Sequence, residues 1–218
     1  MTGQSYRIVY EGGEAEIVEK KSRFIAHIAP ATTEEEAVAF IEKIKKEYWD
    51  ARHNCSAYSV GNVQPVVRCS DDGEPGGTAG KPMLEVLLGE GIHNVVAVVT
   101  RYFGGTLLGT GGLIRAYTKS TQEGLKNSVI ITKQLGQRLN IQCDYTTSGK
   151  IQYLAANEQI PVLGIDYTDS VTFDVIIPIE QQERVRKSFI EAAGGKIGIE
   201  ELQQAYFAEI DGEIKILS

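Results

Sequence analysis

The residues best suited to chemistry lie in a glycine-rich stretch near the middle of the chain, RYFGGTLLGTGG, residues 101–112. An apolar run, VVAVVT, precedes the stretch and a helical pattern follows it, so the stretch joins a buried strand to a helix. The first amides of a helix lack internal partners and carry partial positive charge, which favours a phosphate group. We therefore predict an anion site in which Thr110 caps the helix and the amides of Gly111 and Gly112 face the anion. The motif is equally consistent with glycines that only permit tight turns and close packing of the helix on the strand.

Basic side chains surround this predicted site. Arg115 and Lys119 follow at helical spacing, with Gln122 and Lys126 on the same helix face. Residues 91–128 contain four basic residues and one acid, although the chain as a whole has 22 basic and 29 acidic residues and a net charge of -7. That balance excludes nucleic-acid binding through global positive charge and leaves a local patch. The other residues expected at this site are Arg101, Tyr102, Gly104 and Gly105.

A second glycine-rich stretch, DDGEPGGTAGKP, spans residues 71–82. Its four glycines and two prolines predict irregular structure. A cleft between the two stretches would hold a small phosphorylated ligand and is expected to include His53, Asp71, Asp72 and Lys81. Asp71, Asp72 and Glu74 have two interpretations. In the first, their carboxylates have a chemical role and bind Mg²⁺ or accept a proton. In the second, they accept hydrogen bonds from backbone amides of the turn.

Other candidates for catalysis are weaker. His53 and Cys55 share a strand face, as a base and a nucleophile would, but a buried His and Cys on a core strand are the commoner reason for this spacing. The glycine-rich stretch at 101–112 fails the P-loop pattern because Thr110 stands where lysine belongs, and it fails the dinucleotide-binding pattern because Ile114 replaces the third glycine. The sequence therefore predicts no catalytic set, no metal site and no cofactor, and an enzyme is the less favoured class.

Two domains of the α+β class must position these residues. In residues 1–130 we expect strands near Tyr6–Tyr10, Ala15–Val18 and Arg23–Ile28, a helix capped by Thr32 or Thr33, and then further strands and helices around the glycine-rich stretches. In residues 134–218 the pattern is β-α-β-β-α-β, which is typical of a ferredoxin-like domain. The last strand of that domain is expected near Lys196–Gln204.

The sequence favours a cytoplasmic protein without a membrane partner. Cys55, Cys69 and Cys143 are odd in number and widely spaced, which fits a reducing compartment. The N-terminal residues lack the basic and apolar regions of a signal peptide, and no apolar run is long enough to cross a membrane.

Long motifs carry a family resemblance across the whole chain. The segments KKSRFIAHI (20–28), ARHNCSAY (51–58), SDDGEPGGTAGKP (70–82) and RYFGGTLLGTGGLIRAY (101–117) resemble the IMPACT/YigZ family. The resemblance implies a first domain similar to domain two of a small-subunit ribosomal protein and a ferredoxin-like second domain similar to the last domain of elongation factor G. Eukaryotic members of the family are translational regulators that act by binding a protein partner.

Two functions follow from the residues and the resemblance together. The first is a non-catalytic, translation-associated regulator or binding module that contacts RNA, the ribosome or a translation factor through the glycine-rich turn and the basic helix face. The alternative is an enzyme or sensor for a small phosphorylated ligand between the two glycine-rich stretches.

Overall fold

The computed structural model describes residues 5–62 and 64–217, which form two compact units that divide between Thr132 and Lys133. The strands of the first unit are β1 (Ser5–Glu11), β2 (Glu14–Glu19), β3 (Ser22–Pro30), β4 (His53–Val60), β5 (Val66–Ser70), β6 (Ile92–His93) and β7 (Val95–Tyr102). Its helices are α1 (Glu34–Glu47), α2 (Gly80–Gly89) and α3 (Gly109–Lys126). Strand β8 (Val129–Cys143) begins in the first unit and continues into the second.

An antiparallel sheet in the order β2-β3-β7-β4-β5 forms the centre of the first unit. Strand β7 lies in its middle and is buried on both faces from Val95 to Thr100, as its run of β-branched residues predicts. Helix α1 packs on one face of the sheet, and α2 and α3 pack on the other. The antiparallel register brings the starts of β3 and β4 and the ends of β2, β5 and β7 together at one end, here called the loop end.

Helix α1 begins where its capping residues predict. The Thr33 hydroxyl accepts a hydrogen bond from the Glu36 amide at 3.2 Å, and the Glu36 carboxylate accepts one from the Thr32 amide at 2.7 Å. These reciprocal contacts satisfy amides that the helix leaves without partners. The Thr32 amide and hydroxyl also hold the pKa of Glu36 below its ordinary value.

The second unit has the predicted ferredoxin-like order, with a hairpin strand added. Its further elements are α4 (Tyr145–Asn157), β9 (Val162–Tyr167), β10 (Val171–Pro178), a short 3₁₀ turn (Ile179–Gln181), α5 (Gln182–Ala192), β11 (Gly198–Ile210) and β12 (Glu213–Leu217). The strand order β9-β10-β8-β11-β12 is antiparallel throughout. Helices α4 and α5 pack on the buried side chains of β8 and β10 through Ile151, Val185 and Phe189.

Several element boundaries differ from the prediction. Helix α2 begins at Gly80, inside a stretch expected to be irregular, and its third residue Pro82 fits because an amide at that position needs no helical partner. Strand β8 begins at Val129 rather than Gln134, so it crosses the segment expected to separate the domains. The short strands β6 and β12 were not predicted, because two and five residues carry little periodicity.

Candidate anion-binding site

Three connections meet at the loop end of the first unit. The hairpin turn Lys20–Lys21 joins β2 to β3, residues 71–79 join β5 to α2, and residues 103–108 join β7 to α3. Because the strands are antiparallel, both glycine-rich stretches lie at this end although they are about thirty residues apart in the chain. The sequence elements that carry the family resemblance therefore meet in one region.

The start of α3 differs from the prediction. The helix begins at Gly109 with Leu108 at the N-cap, and among the described residues no side chain caps it, so the prediction that Thr110 is the cap is wrong. The physical reason is Gly109, whose φ of +70° turns the chain one residue earlier and leaves Thr110 exposed inside the first turn.

The structural requirement for glycine differs from one position of this stretch to the next. A Cβ at Gly104 would overlap the backbone of Lys21 and Ser22, and the Gly104 amide donates to the Ser22 hydroxyl at 3.0 Å. Gly105 has a φ of +84°, and a Cβ at the buried Gly112 would press on the Leu108 side chain at 3.0 Å. Gly111 is different, since it is exposed, and a Cβ there would make only an ordinary 3.5 Å contact with Arg115 Nη1. Packing does not require glycine at 111.

A cavity of about 200 Å³ lies between the β2–β3 hairpin and α3, and we call it the cationic cavity. Its basic side chains are Lys20, Arg115 and Lys119, and Glu19 is the acidic residue in its lining. The apolar and small residues that complete the lining are Ile17, Leu108, Gly112 and Ala116. The cavity brings together Gly112, Arg115 and Lys119 from the predicted site and adds Lys20. The sequence analysis missed Lys20 as a site residue, although the segment KKSRFIAHI was part of the resemblance.

Six residues of the predicted site are not part of the cavity lining: Arg101, Tyr102, Gly104, Gly105, Thr110 and Gly111. The side chains of Arg101 and Tyr102 have partners elsewhere in the protein. Arg101 is buried, and its guanidinium donates to Glu74 Oε1 at 2.5 Å, an oxygen that also accepts from the Tyr117 hydroxyl at 2.8 Å. The charge of Arg101 is therefore compensated inside the protein and does not serve an anion. The Tyr102 hydroxyl donates to Asp50 at 2.7 Å.

The stretch at 71–82 is organised by Asp71. Its carboxylate accepts hydrogen bonds from the amides of Gly77, Ala79 and Gly80 at 2.8, 3.0 and 2.9 Å. Burial by itself raises the pKa of Asp71, but these three donors outweigh it and hold the pKa below the ordinary value. Asp71 thus has the backbone-satisfying role that was one of the two interpretations of the acidic residues.

The other residues of the predicted cleft are engaged locally. The Asp72 carboxylate accepts from the Asn54 amide at 2.7 Å, and the Asp72 carbonyl lies 2.9 Å from His53 Nδ1. Lys81 is exposed, with its ammonium 3.9 Å from Glu85. The buried contact of Arg101 with Glu74 joins the two glycine-rich stretches directly.

Cys55 does not have the environment of a nucleophile. Its thiol is buried against the Asp71 carbonyl at 3.0 Å and the Tyr117 hydroxyl at 3.3 Å. Burial raises the pKa of Cys55 to about 12, and the neighbouring carboxylates act in the same direction. The thiolate form is absent at neutral pH, which supports the core interpretation of the His53 and Cys55 spacing.

A larger cavity of about 600 Å³ in the same unit has compensated charges. Arg7 lines it and contacts both the carbonyl and the carboxylate of Glu90, while Lys126 lies 2.7 Å from Glu123. The smaller cationic cavity is therefore the stronger candidate for an anion.

Two further observations concern the described ranges 5–62 and 64–217. Their helices are all too short or too polar to cross a membrane. They contain no group of three or more His, Cys, Asp or Glu side chains arranged to hold a metal ion.

Comparison with known proteins identifies the family. The model of the Impact N-terminal domain matches residues 20–125, and the model of a domain of unknown function, DUF1949, matches residues 141–196. A solved structure described as a hypothetical protein aligns with 92% of this chain and 98% of its own, with a TM-score of 0.59 and 34% identity.

Two bacterial relatives match over most of their length. IMPACT family member YigZ of Escherichia coli is 40% identical over 73% of this chain and 79% of its own. IMPACT family member YvyE of Bacillus subtilis is 44% identical over 97% of both chains. The resemblance seen in the sequence motifs is confirmed, and this chain belongs to the IMPACT family.

Proposed function

We propose that this protein is a non-catalytic, translation-associated binding module that contacts the phosphates of RNA through the cationic cavity. The observation that carries the proposal is the convergence of Lys20 from the hairpin turn with Arg115 and Lys119 from α3 around one cavity. The cavity, at about 200 Å³, has room for one phosphate group.

The exposed face of α3 supports a polymer as the ligand. Arg115, Lys119, Gln122 and Lys126 are all exposed along this face. Arg115 and Gln122 are separated by about 10 Å along the helix axis, which is longer than one phosphate group. A row of this length suits a nucleic-acid backbone better than a mononucleotide.

The link to translation rests on family membership. The eukaryotic members that the sequence resembles are translational regulators, and the Impact N-terminal domain model spans the hairpin turn and most of α3. Ribosomal RNA, or another RNA of the translation apparatus, is therefore the polyanion that we propose. A translation factor carrying an acidic surface is the competing partner.

Salt-dependent RNA binding tests the proposal. We expect the parent protein to bind a 12-nucleotide RNA with an affinity that falls steeply with salt, because each neutralised phosphate releases counterions. The double variant Arg115→Ala/Lys119→Ala removes two of these contacts. It should reduce the magnitude of the slope of log affinity against log salt by about 1.4, because each phosphate contact on a single strand contributes roughly 0.7 to that slope.

A charge-matched variant of the second unit provides the control. Arg186→Ala/Lys187→Ala removes the same charge from α5, and its salt slope should equal that of the parent. If the α3 double variant binds RNA and ribosomes as the parent does, the proposal is wrong. Saturable binding of a mononucleotide or sugar phosphate, seen as a rise in melting temperature, would instead support the alternative of a small phosphorylated ligand.

A further inference from the structure

The loop that leads from β7 to α3 presents an aromatic ring to solvent. Phe103 is the first residue after β7, and 53% of its surface is exposed. Because about half of the ring remains in water, Phe103 contributes less to the stability of the fold than a buried phenylalanine does.

The inner side of the Phe103 ring rests on a buried arginine. The Arg101 guanidinium lies 5.8 Å from the centre of the Phe103 ring and 5.4 Å from the centre of the Phe24 ring. The guanidinium donates a hydrogen bond to the Glu74 carboxylate at 2.5 Å, and the Tyr117 hydroxyl donates a second one to the same carboxylate. A buried network thus fixes the orientation of a ring whose outer surface is open.

The loop that carries Phe103 contacts the hairpin that contributes to the cationic cavity. Gly104, the next residue, packs directly on the backbone of Lys21 and Ser22. Lys20, one residue earlier, lines the cavity, and Leu108 at the far end of the same loop lines it as well. The aromatic ring and Lys20 therefore lie on adjoining loops at the same end of the sheet.

We propose that Phe103 is a stacking platform for an unpaired base, so that the ligand of this surface is single-stranded RNA whose phosphate occupies the cationic cavity. This inference rests on the proposed function and specifies its ligand. Aromatic side chains beside basic residues bind single strands because every base has a π-face that is free to stack, whereas the bases of a duplex stack on each other. Arg101, in this arrangement, is a positioning residue for Phe103.

The variant Phe103→Leu tests the platform while preserving an apolar side chain. It should weaken binding of a single-stranded 12-nucleotide RNA about 10-fold without changing the salt slope, because the variant loses a stacked base and no phosphate contact. Binding of the same 12-nucleotide sequence as a duplex should be weaker than single-strand binding and unaffected by the variant. Tyr153→Leu, which removes an exposed ring from α4, is the matched control and should leave both affinities unchanged.

A fluorescence experiment gives an independent readout that does not depend on loss of binding. Trp49 is the single tryptophan of the chain, so Trp49→Phe/Phe103→Trp carries its only indole at position 103. We expect single-stranded RNA to quench this indole and a backbone of abasic sites to leave it unchanged, because stacking needs a base. Absence of quenching at saturating RNA overturns the inference.

The outcomes separate the two proposals. If Arg115→Ala/Lys119→Ala weakens RNA binding and Phe103→Leu does not, the stacking platform is wrong and the proposed function stands. If neither variant affects RNA binding, the proposed function fails. If Phe103→Leu instead abolishes binding to phosphatidylglycerol vesicles and leaves RNA binding intact, Phe103 contacts lipid and the platform is overturned.

Discussion

At the scale of single residues, Asp71 shows how one carboxylate organises a loop that has little regular structure of its own. Its carboxylate oxygens accept hydrogen bonds from the amides of Gly77, Ala79 and Gly80. These bonds fix the backbone of the loop that contains Glu74, whose carboxylate accepts a hydrogen bond from Arg101. Because the folded-state pKa of Asp71 is lowered, its contribution to stability is present in full above the unfolded pKa of about 3.9. That contribution is lost as pH falls through the folded-state value.

The variant Asp71→Asn should therefore have a pH-dependent effect. At pH 7 we expect the free energy of unfolding to fall by about 2 kcal/mol, because an amide replaces one charged acceptor of backbone hydrogen bonds. As pH falls below the ordinary aspartate pKa of about 3.9 and through the lowered folded-state value, the difference from the parent should shrink, since the parent carboxyl is then increasingly protonated. Urea unfolding at pH 7 and in this acidic range measures the effect. An undiminished difference at low pH would contradict it, and the exposed Asp169→Asn is the control.

The sequence alone indicated Arg115 and Lys119 as anion-binding candidates, but it did not show that the charge of Arg101 is compensated by Glu74. Arg115 and Lys119 were predictable because helical spacing alone puts them on an exposed face. The compensation of Arg101 depends on Glu74, which is 27 residues away and meets it only after β5 and β7 have joined the same sheet. Charge compensation of this kind is a property of the folded sheet and is not visible in local sequence.

At the scale of elements, the β2–β3 hairpin has an unusual turn. Lys20 and Lys21 both have positive φ, at 46° and 68°, in a two-residue hairpin connection that ordinarily takes Asn-Gly. Left-handed backbone costs a non-glycine residue about 1 kcal/mol or more. The left-handed backbone thus costs stability at the turn from which Lys20 enters the lining of the cationic cavity.

Replacing the turn by its favoured residues should separate stability from binding. Lys20→Asn/Lys21→Gly should raise the free energy of unfolding by about 1 kcal/mol, because strain is relieved in the folded state. The same variant should weaken RNA binding and flatten its salt dependence, because two cations are lost. Calorimetry and a salt titration measure the two effects.

Lys20→Arg/Lys21→Arg keeps both the charge and the strain of this turn, so it should match the parent in stability and in RNA affinity. A Lys20→Asn/Lys21→Gly protein that is more stable and binds RNA normally would mean that the lysines serve no anion.

Elements with strong local signals were predictable. The threonine–glutamate pair marked the start of α1, and the apolar run of β7 marked a central strand. The start of α3 was predicted incorrectly because glycine at 109 permits a backbone that any other residue would resist, and sequence alone does not show whether a glycine uses that freedom.

At the scale of the whole molecule, the charge around the cationic cavity is opposite in sign to the net charge of the chain. The chain has a net charge of -7, yet the cationic cavity has three basic residues and one acid in its lining. Composition correctly excluded a globally basic protein but could not locate the patch. Lys20 approaches α3 only when the hairpin folds over the helix, across nearly a hundred residues of sequence.

The central position of β7 has a consequence for synthesis on the ribosome. Strands β3 and β4 are made first but do not pair with each other, because β7, which is made about forty residues after β4, lies between them. Until β7 emerges, both strands expose a free edge, and such edges are prone to wrong pairing. Non-local pairing of this kind also slows folding, because a long loop must close before the sheet is completed. The nascent first unit is therefore prone to wrong strand pairing until β7 joins the sheet. The same step brings Arg101 and Phe103 to the loop end.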